Sequence, residues 1–136
     1  MKLATDEDIP QLLDILRSFH KETIYFDLVE FDEESLTETC ESLIKNGFIL
    51  MDDYSAIGII IFPLFFNKNY KMAQEVFWYA KPEHRGKGAE LLEKAEELCK
   101  EYQVNCIAML SLNDKLDQFY ERNDYQLNEK SFLKWL

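Results

Sequence analysis

The feature that most constrains this chain is a strand pattern followed by two glycines and an amphipathic helix pattern. Glu75–Ala80 is rich in β-branched and aromatic residues, which predicts a strand. From about Ala89 to Tyr102, apolar residues recur at helical spacing. Gly86 and Gly88, two of only four glycines, lie between them. Because free backbone N–H groups at a helix start attract anions, the pattern predicts a phosphate-binding turn. An ordinary strand-to-helix turn is the alternative.

Length, composition and charge predict the number of domains, the kind of partner and the compartment of the protein. The chain has 136 residues, 47% of them hydrophobic, which predicts a single domain over residues 1–136 with its own core. The net charge of -11 disfavours nucleic-acid binding and favours amines or basic protein segments as partners. The apolar run Ala56–Phe62 is too short to span a membrane, and the acids at Asp6–Asp8 argue against a signal peptide. We expect a cytoplasmic protein without membrane contact.

The cysteines and histidines predict neither disulfides nor a metal site. The three cysteines form no CxxC pair. Cys40 and Cys99 fall on apolar positions of predicted helices and Cys106 lies in a predicted strand, as expected for buried free thiols in a reducing compartment. His20 and His84 are the only histidines and have no zinc-ligand spacing.

The periodicities predict a mixed sheet flanked by helices. Pro63 is expected to end the central strand. In chain order the predicted elements are a helix capped by Thr5, a helix from Asp32 to Asn46, strands Phe48–Met51, Ala56–Phe62 and Gln74–Ala80, a helix Ala89–Tyr102, a strand Val104–Leu112, a helix Asp114–Arg122, and strands Tyr125–Leu127 and Phe132–Trp135.

Two segments resemble a known family. Tyr79–Ala89 is similar to motif A of the GNAT superfamily, the general-control-related N-acetyltransferases, with its strand end, Pro-acid segment and paired glycines. Asn113–Tyr125 is similar to motif B, an Asn and a short helix with Tyr-Glu-Arg before a turn. The order of elements agrees with the family along the whole chain. Glu75–Tyr79 and Phe132–Leu136 most resemble members encoded by bacteriophages.

The resemblance implies a fold and a reaction. The fold is an α/β domain with a central, mostly antiparallel mixed sheet, splayed at the cofactor site. The reaction is direct acetyl transfer from acetyl-CoA, as cosubstrate, to a primary amine of a small molecule or protein, without a metal. Many members dimerise, so a homodimer is compatible with the resemblance.

The resemblance also implies a cofactor site. The glycine turn would hold the CoA pyrophosphate, a strand N–H near Tyr79–Lys81 would face the acetyl oxygen, and Asn113 would bond the CoA arm. Asn113 has helix capping as its alternative role. The cofactor-binding residues are therefore expected to be Tyr79, Ala80, Arg85, Gly86, Lys87, Gly88, Ala89 and Asn113.

The chain departs from the family pattern at acidic positions. The family motif Gln/Arg-x-x-Gly-x-Gly/Ala starts at either Arg85 or Glu83, and the second register places both glycines correctly. Glu90 breaks the first register and Glu83 the second, and either acid would repel pyrophosphate. Asp124 replaces the usual motif B glycine, where we expect a left-handed backbone.

Two residues are candidates for catalysis. Tyr120 matches the family position that protonates the CoA thiolate, with a core tyrosine as the alternative. Glu75 is the candidate base, with a solvated strand acid as the alternative, and we expect it to share a face with Phe77 and Tyr79. Some family members use ordered water as the base instead.

The acceptor is expected between the N-terminal helices and Leu64–Tyr70, read as an aromatic loop. There the acids of Asp27–Glu34 would receive a cationic amine, with the aromatic rings offering cation–π contact. A second hypothesis is a catalytically weak, acidic binding protein of the same fold that occupies a basic partner.

Overall fold

Helices and strands alternate along the chain around one mixed sheet. The computed structural model describes residues 1–136, apart from the side chain of Lys87. Short 3₁₀ turns lie at Asp6–Asp8, Ile24–Asp27 and Pro82–Lys87. The regular elements are β1 Lys2–Leu3, α1 Ile9–Lys21, α2 Glu33–Asn46, β2 Gly47–Met51, β3 Ser55–Leu64, β4 Asn67–Ala80, α3 Gly88–Glu101, β5 Cys106–Ala108 and α4 Asp114–Arg122.

The sheet confirms the predicted fold class. Its strand order is β1-β2-β3-β4-β5, so neighbours in the chain are neighbours in space. Strands β1 to β4 pair antiparallel with their neighbours in this order, whereas β4 and β5 pair in parallel. A parallel pair needs a crossover connection, and α3 provides it.

Two apolar cores lie on the two faces of the sheet. One core joins α1 and α2 to residues such as Phe77 and Tyr79. The other joins α3 and α4 to residues such as Ile57 and Ile59. Alternation along the strands sends their side chains to both faces, which fits strands buried on both sides.

Local capping explains where the helices begin. The Thr5 N–H donates to the Asp8 carboxylate at 2.8 Å, which starts the turn before α1. The Asp32 carboxylate accepts from the Ser35 N–H at 3.1 Å at the start of α2. The predicted start at Asp32 is confirmed, whereas Thr5 caps the 3₁₀ turn Asp6–Asp8 and α1 itself begins at Ile9.

The segment predicted as an aromatic loop is the end of a long hairpin. β3 continues through Pro63 to Leu64, and β4 begins at Asn67, so the predictions that Pro63 ends the strand and that Leu64–Tyr70 forms a loop are wrong. β2 pairs with β3 only as far as Ile60. Pro63 therefore lies beyond the part of β3 that pairs with β2. Proline has no backbone N–H to donate, and on that side no hydrogen bond is lost.

The C-terminal strands are where the prediction fails most. β5 spans only Cys106–Ala108 rather than Val104–Leu112, and neither Tyr125–Leu127 nor Phe132–Trp135 forms a strand. Strand propensity depends on a pairing partner, and the sheet offers these segments none among the described residues.

Of the three cysteines, Cys40 and Cys99 are buried and free, as predicted. Cys106 is also free but exposed, at the start of the edge strand β5, so its predicted burial is wrong. Burial raises the pKa of both buried thiols to about 11, which keeps them protonated and unreactive.

Candidate active site

The sheet opens at the middle of β4. β5 pairs with β4 only over Met72–Gln74. From Glu75 to Ala80, β4 has no strand on its β5 side within the described part of the chain. We call this stretch the gap edge. The splay expected from the family resemblance is therefore present.

A β-bulge at Val76 changes which way the gap-edge side chains point. Ile59 pairs with Glu75, whereas the preceding Gly58 pairs with Phe77, so Val76 is the extra residue. Phe77 packs in the core on the α1–α2 side, while Glu75 contacts the α4 side. The prediction that Glu75 shares a face with Phe77 and Tyr79 is wrong, because the bulge breaks the two-residue period.

Glu75 lies half-buried beside Tyr120. Its carboxylate accepts from the Leu110 N–H at 3.2 Å, and the Tyr120 hydroxyl donates to the Leu110 carbonyl at 2.9 Å. Burial raises the pKa of Glu75 to about 7, although the Leu110 N–H and Tyr120 oppose the rise. A carboxyl group with that pKa can gain or lose a proton near neutral pH.

Tyr120 packs as a core tyrosine, while its hydroxyl lies at the gap edge. Its ring is buried and packs near Trp78 and Tyr125, as a core tyrosine does. Its hydroxyl lies beside the Glu75 carboxylate, and burial together with that charge raises the Tyr120 pKa. The hydroxyl therefore keeps its proton throughout the neutral range.

The strand direction decides which backbone groups face the gap. The Lys81 N–H donates to the Tyr54 carbonyl at 2.9 Å, toward β3. Along a strand, N–H groups two residues apart point the same way, so the Tyr79 N–H also faces β3 and the Ala80 N–H faces the gap. The Ala80 carbonyl accepts from Arg85 Nε at 3.2 Å, which agrees with this direction. Among the backbone N–H groups of Tyr79–Lys81, where the donor to the acetyl oxygen was expected, only that of Ala80 therefore faces the gap.

Neither backbone conformation nor packing requires glycine at the two glycine positions of the turn. Pro82–Lys87 is a 3₁₀ turn that leads into α3 at Gly88, and no glycine has a positive φ in the described backbone. A Cβ at Gly88 would make an ordinary contact with Trp78 at 3.6 Å, and a Cβ at Gly86 would meet no described atom within 4 Å outside its chain neighbours. By contrast, a Cβ at Gly58 would lie 2.4 Å from the Phe77 ring.

The space above Gly86 therefore suits a ligand that approaches the backbone closely. It lies at the start of a 14-residue helix, where unpaired N–H groups attract anions. A phosphate-bearing group such as CoA pyrophosphate fits this place. Ala89 is exposed in the first turn of α3, and the side chain of Lys87 lies outside the described part.

Arg85 turns toward α1 rather than over the glycines. Its guanidinium forms an ion pair with Glu22, which also accepts a hydrogen bond from the Tyr79 hydroxyl. The hydrogen bonds from Tyr79 and Arg85 lower the pKa of Glu22. Burial, together with the contacts to Glu22, raises the pKa of Tyr79 to about 12. Glu22 is a site residue that the sequence analysis missed, because a glutamate at the end of a helix carries no local signal.

Other predicted positions have defined places around the turn. Glu83 and Glu90 are both exposed on it or just after it. The His84 ring stacks on Tyr54 at 3.7 Å, which fastens the turn to the β2–β3 connection. The Asn113 side chain caps α4 by accepting from the Leu116 N–H at 2.9 Å. Asp124 has a φ of 67°, as expected for the left-handed position.

The expected acceptor surface is not assembled. Phe65 and Phe66 lie at the tip of the β3–β4 hairpin and are 92% and 88% exposed. At the rise of a strand, Asn67 is about 26 Å along β4 from Glu75, so the aromatic tip lies far from the gap edge. The prediction that Leu64–Tyr70 is a loop is wrong, because a long hairpin takes its place, and the position of the acceptor stays a prediction.

Metal-ligating clusters and membrane-spanning helices are both absent from the described part of the chain. The side chains in the described part contain no group of three or more His, Cys, Asp or Glu that would hold a metal ion. No described helix is long and apolar enough to cross a bilayer.

Comparison with known proteins agrees with the splayed sheet and the glycine turn. Residues 9–125 match the model of the acetyltransferase (GNAT) family. The chain belongs to this family. The uncharacterized protein YxbD of Bacillus subtilis (strain 168) is 31% identical over 91 residues, which cover 65% of this chain and 54% of that protein. This GNAT chain thus aligns with about half the length of that curated relative.

Solved structures show the same fold at low sequence identity. An acetyltransferase from Trypanosoma brucei superposes with a TM-score of 0.72 and 16% identity, covering 99% of this chain and 97% of that one. A predicted acetyltransferase with acetyl-CoA from Clostridium acetobutylicum gives a TM-score of 0.68 and 17% identity, covering 99% and 94%. At these identities the likeness concerns the GNAT fold alone.

Proposed function

We propose that this protein is an N-acetyltransferase that moves the acetyl group of acetyl-CoA to a primary amine. The observation that carries the proposal is the open space above Gly86, at the start of α3 and close in the chain to the gap edge. Glycine there is required neither by backbone conformation nor by packing, so a ligand is the remaining reason for it.

The turn and the first part of α3 would hold the cofactor. Backbone N–H groups of the turn that follows Pro82 and of the first turn of α3 would bind the pyrophosphate, helped by the positive helix end. Arg85 is about half exposed, so its guanidinium can exchange Glu22 for a phosphate at modest cost. The Asn113 oxygen caps α4, which leaves its amide N–H groups free to donate to the CoA arm.

Glu75 is the proposed base. When bound, acetyl-CoA supplies an acetyl group activated as a thioester. An alkylamine with a pKa of about 10.4 is mostly charged at pH 7, and its deprotonation costs about 4–5 kcal/mol. The Glu75 carboxylate, with a pKa of about 7, accepts that proton at the gap edge.

Ala80 and Tyr120 are proposed to handle the charges that develop during transfer. The Ala80 N–H faces the gap and donates to the carbonyl oxygen as negative charge grows there. The buried Tyr120 hydroxyl protonates the departing thiolate, and the neighbouring Glu75 carries the proton taken from the amine. Glu75 releases this first proton to water and then takes the second proton, which the nitrogen loses on forming the amide. Passed on to Tyr120, the second proton replaces the one given to the thiolate, so the charged amine yields the amide, the free thiol and one proton released to water.

Calorimetric titration with acetyl-CoA tests the proposal, together with release of free CoA thiol in the presence of amines. We expect saturable binding and amine-dependent thiol release by the wild-type chain. Gly86→Leu, which fills the open space, should lose binding while its melting temperature stays unchanged. An absence of wild-type binding at millimolar acetyl-CoA would overturn the proposal. Among the described residues, no observation favours the acidic binding protein considered above.

A further inference from the structure

A cavity lies beside the bulge of β4, on the opposite side of the sheet from Tyr120. It has a volume of about 240 Å³, opens to solvent, and is lined by α1, the Ile24–Asp27 turn, α2 and β4. Its walls are mainly apolar side chains: Leu16, Phe19, Phe31, Leu36, Val76 and Phe77. Drug-sized ligands occupy about 300–1,000 Å³, so this cavity suits a single aromatic or branched aliphatic group.

Among the polar side chains that line the cavity, His20 and Thr23 already have partners, whereas Tyr25 and Thr39 offer neutral hydroxyl groups. His20 Nε2 lies 2.8 Å from the Val29 carbonyl oxygen, and the Thr23 hydroxyl donates to the His20 carbonyl at 2.9 Å. No carboxylate lines the cavity among the described residues. A cationic group placed inside would lose its hydration without gaining a counter-charge. The cavity therefore favours an uncharged, apolar group.

The cavity meets the gap edge at the bulge. Val76 and Phe77 line it, and both directly follow Glu75. The Val76 side chain is 43% exposed, so solvent reaches this part of the edge. The Glu75 carboxylate points to the α4 side of the sheet, and β4 has no strand on its β5 side here, so a small group held against Val76 reaches Glu75 around this open edge.

We propose that this cavity binds the apolar side chain of the acceptor and that the acceptor is an amine bearing an aromatic or branched aliphatic group close to its nitrogen. This inference rests on the proposed acetyl transfer, since it names the acceptor for that reaction. It replaces the expected cationic acceptor held by Asp27–Glu34, because none of those acids lines the cavity. A free arylalkylamine and the N-terminus of a peptide that begins with Phe share the required chemistry.

Thiol release with matched amines tests the acceptor class. Phenethylamine and a peptide beginning with Phe should react at least tenfold better, by kcat/KM, than putrescine and a peptide beginning with Gly. Faster turnover of phenethylamine than of the Phe peptide identifies a small-molecule source, and the reverse identifies a protein source. Preference for putrescine or for the Gly peptide would overturn the inference.

Substitutions on α2 test the cavity itself. Thr39 lines the cavity from an exposed position, whereas Ser42 is exposed on the same helix outside the lining. Thr39→Phe should raise the KM for phenethylamine at least tenfold without changing acetyl-CoA affinity, and Ser42→Phe should change neither. An unchanged KM in Thr39→Phe would contradict the assignment.

A binding measurement separates this inference from the proposed function. Ligand-observed NMR without acetyl-CoA should detect phenethylamine binding to the wild-type chain and to Ser42→Phe, and much weaker binding to Thr39→Phe. Binding of this pattern without any thiol release would support the cavity and refute acetyl transfer. Thiol release from other amines without phenethylamine binding would support acetyl transfer and refute the cavity.

Discussion

Glu75 and Tyr120 meet through the backbone of one residue, Leu110. The Leu110 N–H donates to the Glu75 carboxylate at 3.2 Å, and the Leu110 carbonyl accepts from the Tyr120 hydroxyl at 2.9 Å. Leu110 lies just past the end of β5, where the chain has left the sheet. The opening of the sheet and the meeting of a proposed base with a proposed acid therefore have the same structural origin.

The pH dependence of turnover should follow Glu75. Because burial raises its pKa to about 7, kcat should fall as the pH drops through 7 and Glu75 becomes protonated. Glu75→Gln should lower kcat about 100-fold at pH 7.5 and remove this limb of the profile. Initial rates from pH 5.5 to 9 at saturating substrates give the measurement. A wild-type limb that persists in Glu75→Gln would assign the ionisation to another group.

The stability of the same variant should depend on pH with a defined sign. A folded-state pKa raised from 4.5 to about 7 means that Glu75 favours folding when protonated; this contribution is fully present below pH 4.5 and is lost as the pH rises through 7. Glu75→Gln should match the wild-type chain in acid and exceed its unfolding free energy by up to about 3 kcal/mol at pH 8.5. Urea unfolding at both pH values checks this. Equal stabilities at pH 8.5 would mean that Glu75 is not shielded from water.

Tyr120 and Tyr125 are neighbours in the structure, so replacing each by Phe gives two variants that can be compared directly. Tyr120→Phe should lower kcat about 10–100-fold with little change in acetyl-CoA affinity, because it removes the proposed proton donor. It should also cost about 1 kcal/mol of stability through the lost bond to Leu110. The Tyr125 hydroxyl is buried beside Glu96 and makes no well-aligned hydrogen bond among the described atoms.

Tyr125→Phe should therefore leave kcat unchanged and stabilise the fold slightly, by up to about 1 kcal/mol. Steady-state kinetics and thermal melting of both variants give the comparison. A loss of turnover in both variants would point to a packing effect rather than to a proton donor.

Two glycines should respond in opposite ways to alanine. Gly86→Ala places its Cβ in open space at a non-positive φ, so the fold should keep or gain up to about 1 kcal/mol while acetyl-CoA affinity falls. Gly58→Ala places its Cβ 2.4 Å from the buried Phe77 ring and should cost about 1–3 kcal/mol. Denaturant unfolding and calorimetry measure both quantities. Unchanged acetyl-CoA affinity in Gly86→Ala would remove the turn from the cofactor site.

The acids of the turn should weaken cofactor binding. Both Glu83 and Glu90 are exposed near the start of α3, so replacing either by Gln removes a charge that repels pyrophosphate. We expect a gain in acetyl-CoA affinity of about twofold to fivefold, which shrinks at high salt. The larger gain identifies the acid nearer the phosphates. Glu101→Gln, at the far end of α3, serves as the control. A gain equal to the control would assign no role to the two acids.

Local patterns predicted the elements whose causes are local. The 3₁₀ turn after Thr5 and the helix start at Asp32 follow from capping groups within three residues, and α4 occupies the predicted range Asp114–Arg122. The glycine turn and the two motif segments were likewise recognisable, because each depends on residues close in the chain. The family and the fold class followed from the sequence for the same reason.

Only the tertiary structure decided the arrangement of the site. The bulge at Val76 turns the Glu75 side chain to the other face of the sheet. No residue pattern predicts this bulge, because it is set by the register of two strands. Leu110 acts through its backbone, and Glu22 acts by meeting Arg85 from a distant helix. The sequence by itself determined the helices with local caps and the glycine turn before α3. Long-range pairing of strands and helices determined which side chains meet at the gap, since contacts between distant segments depend on the whole fold.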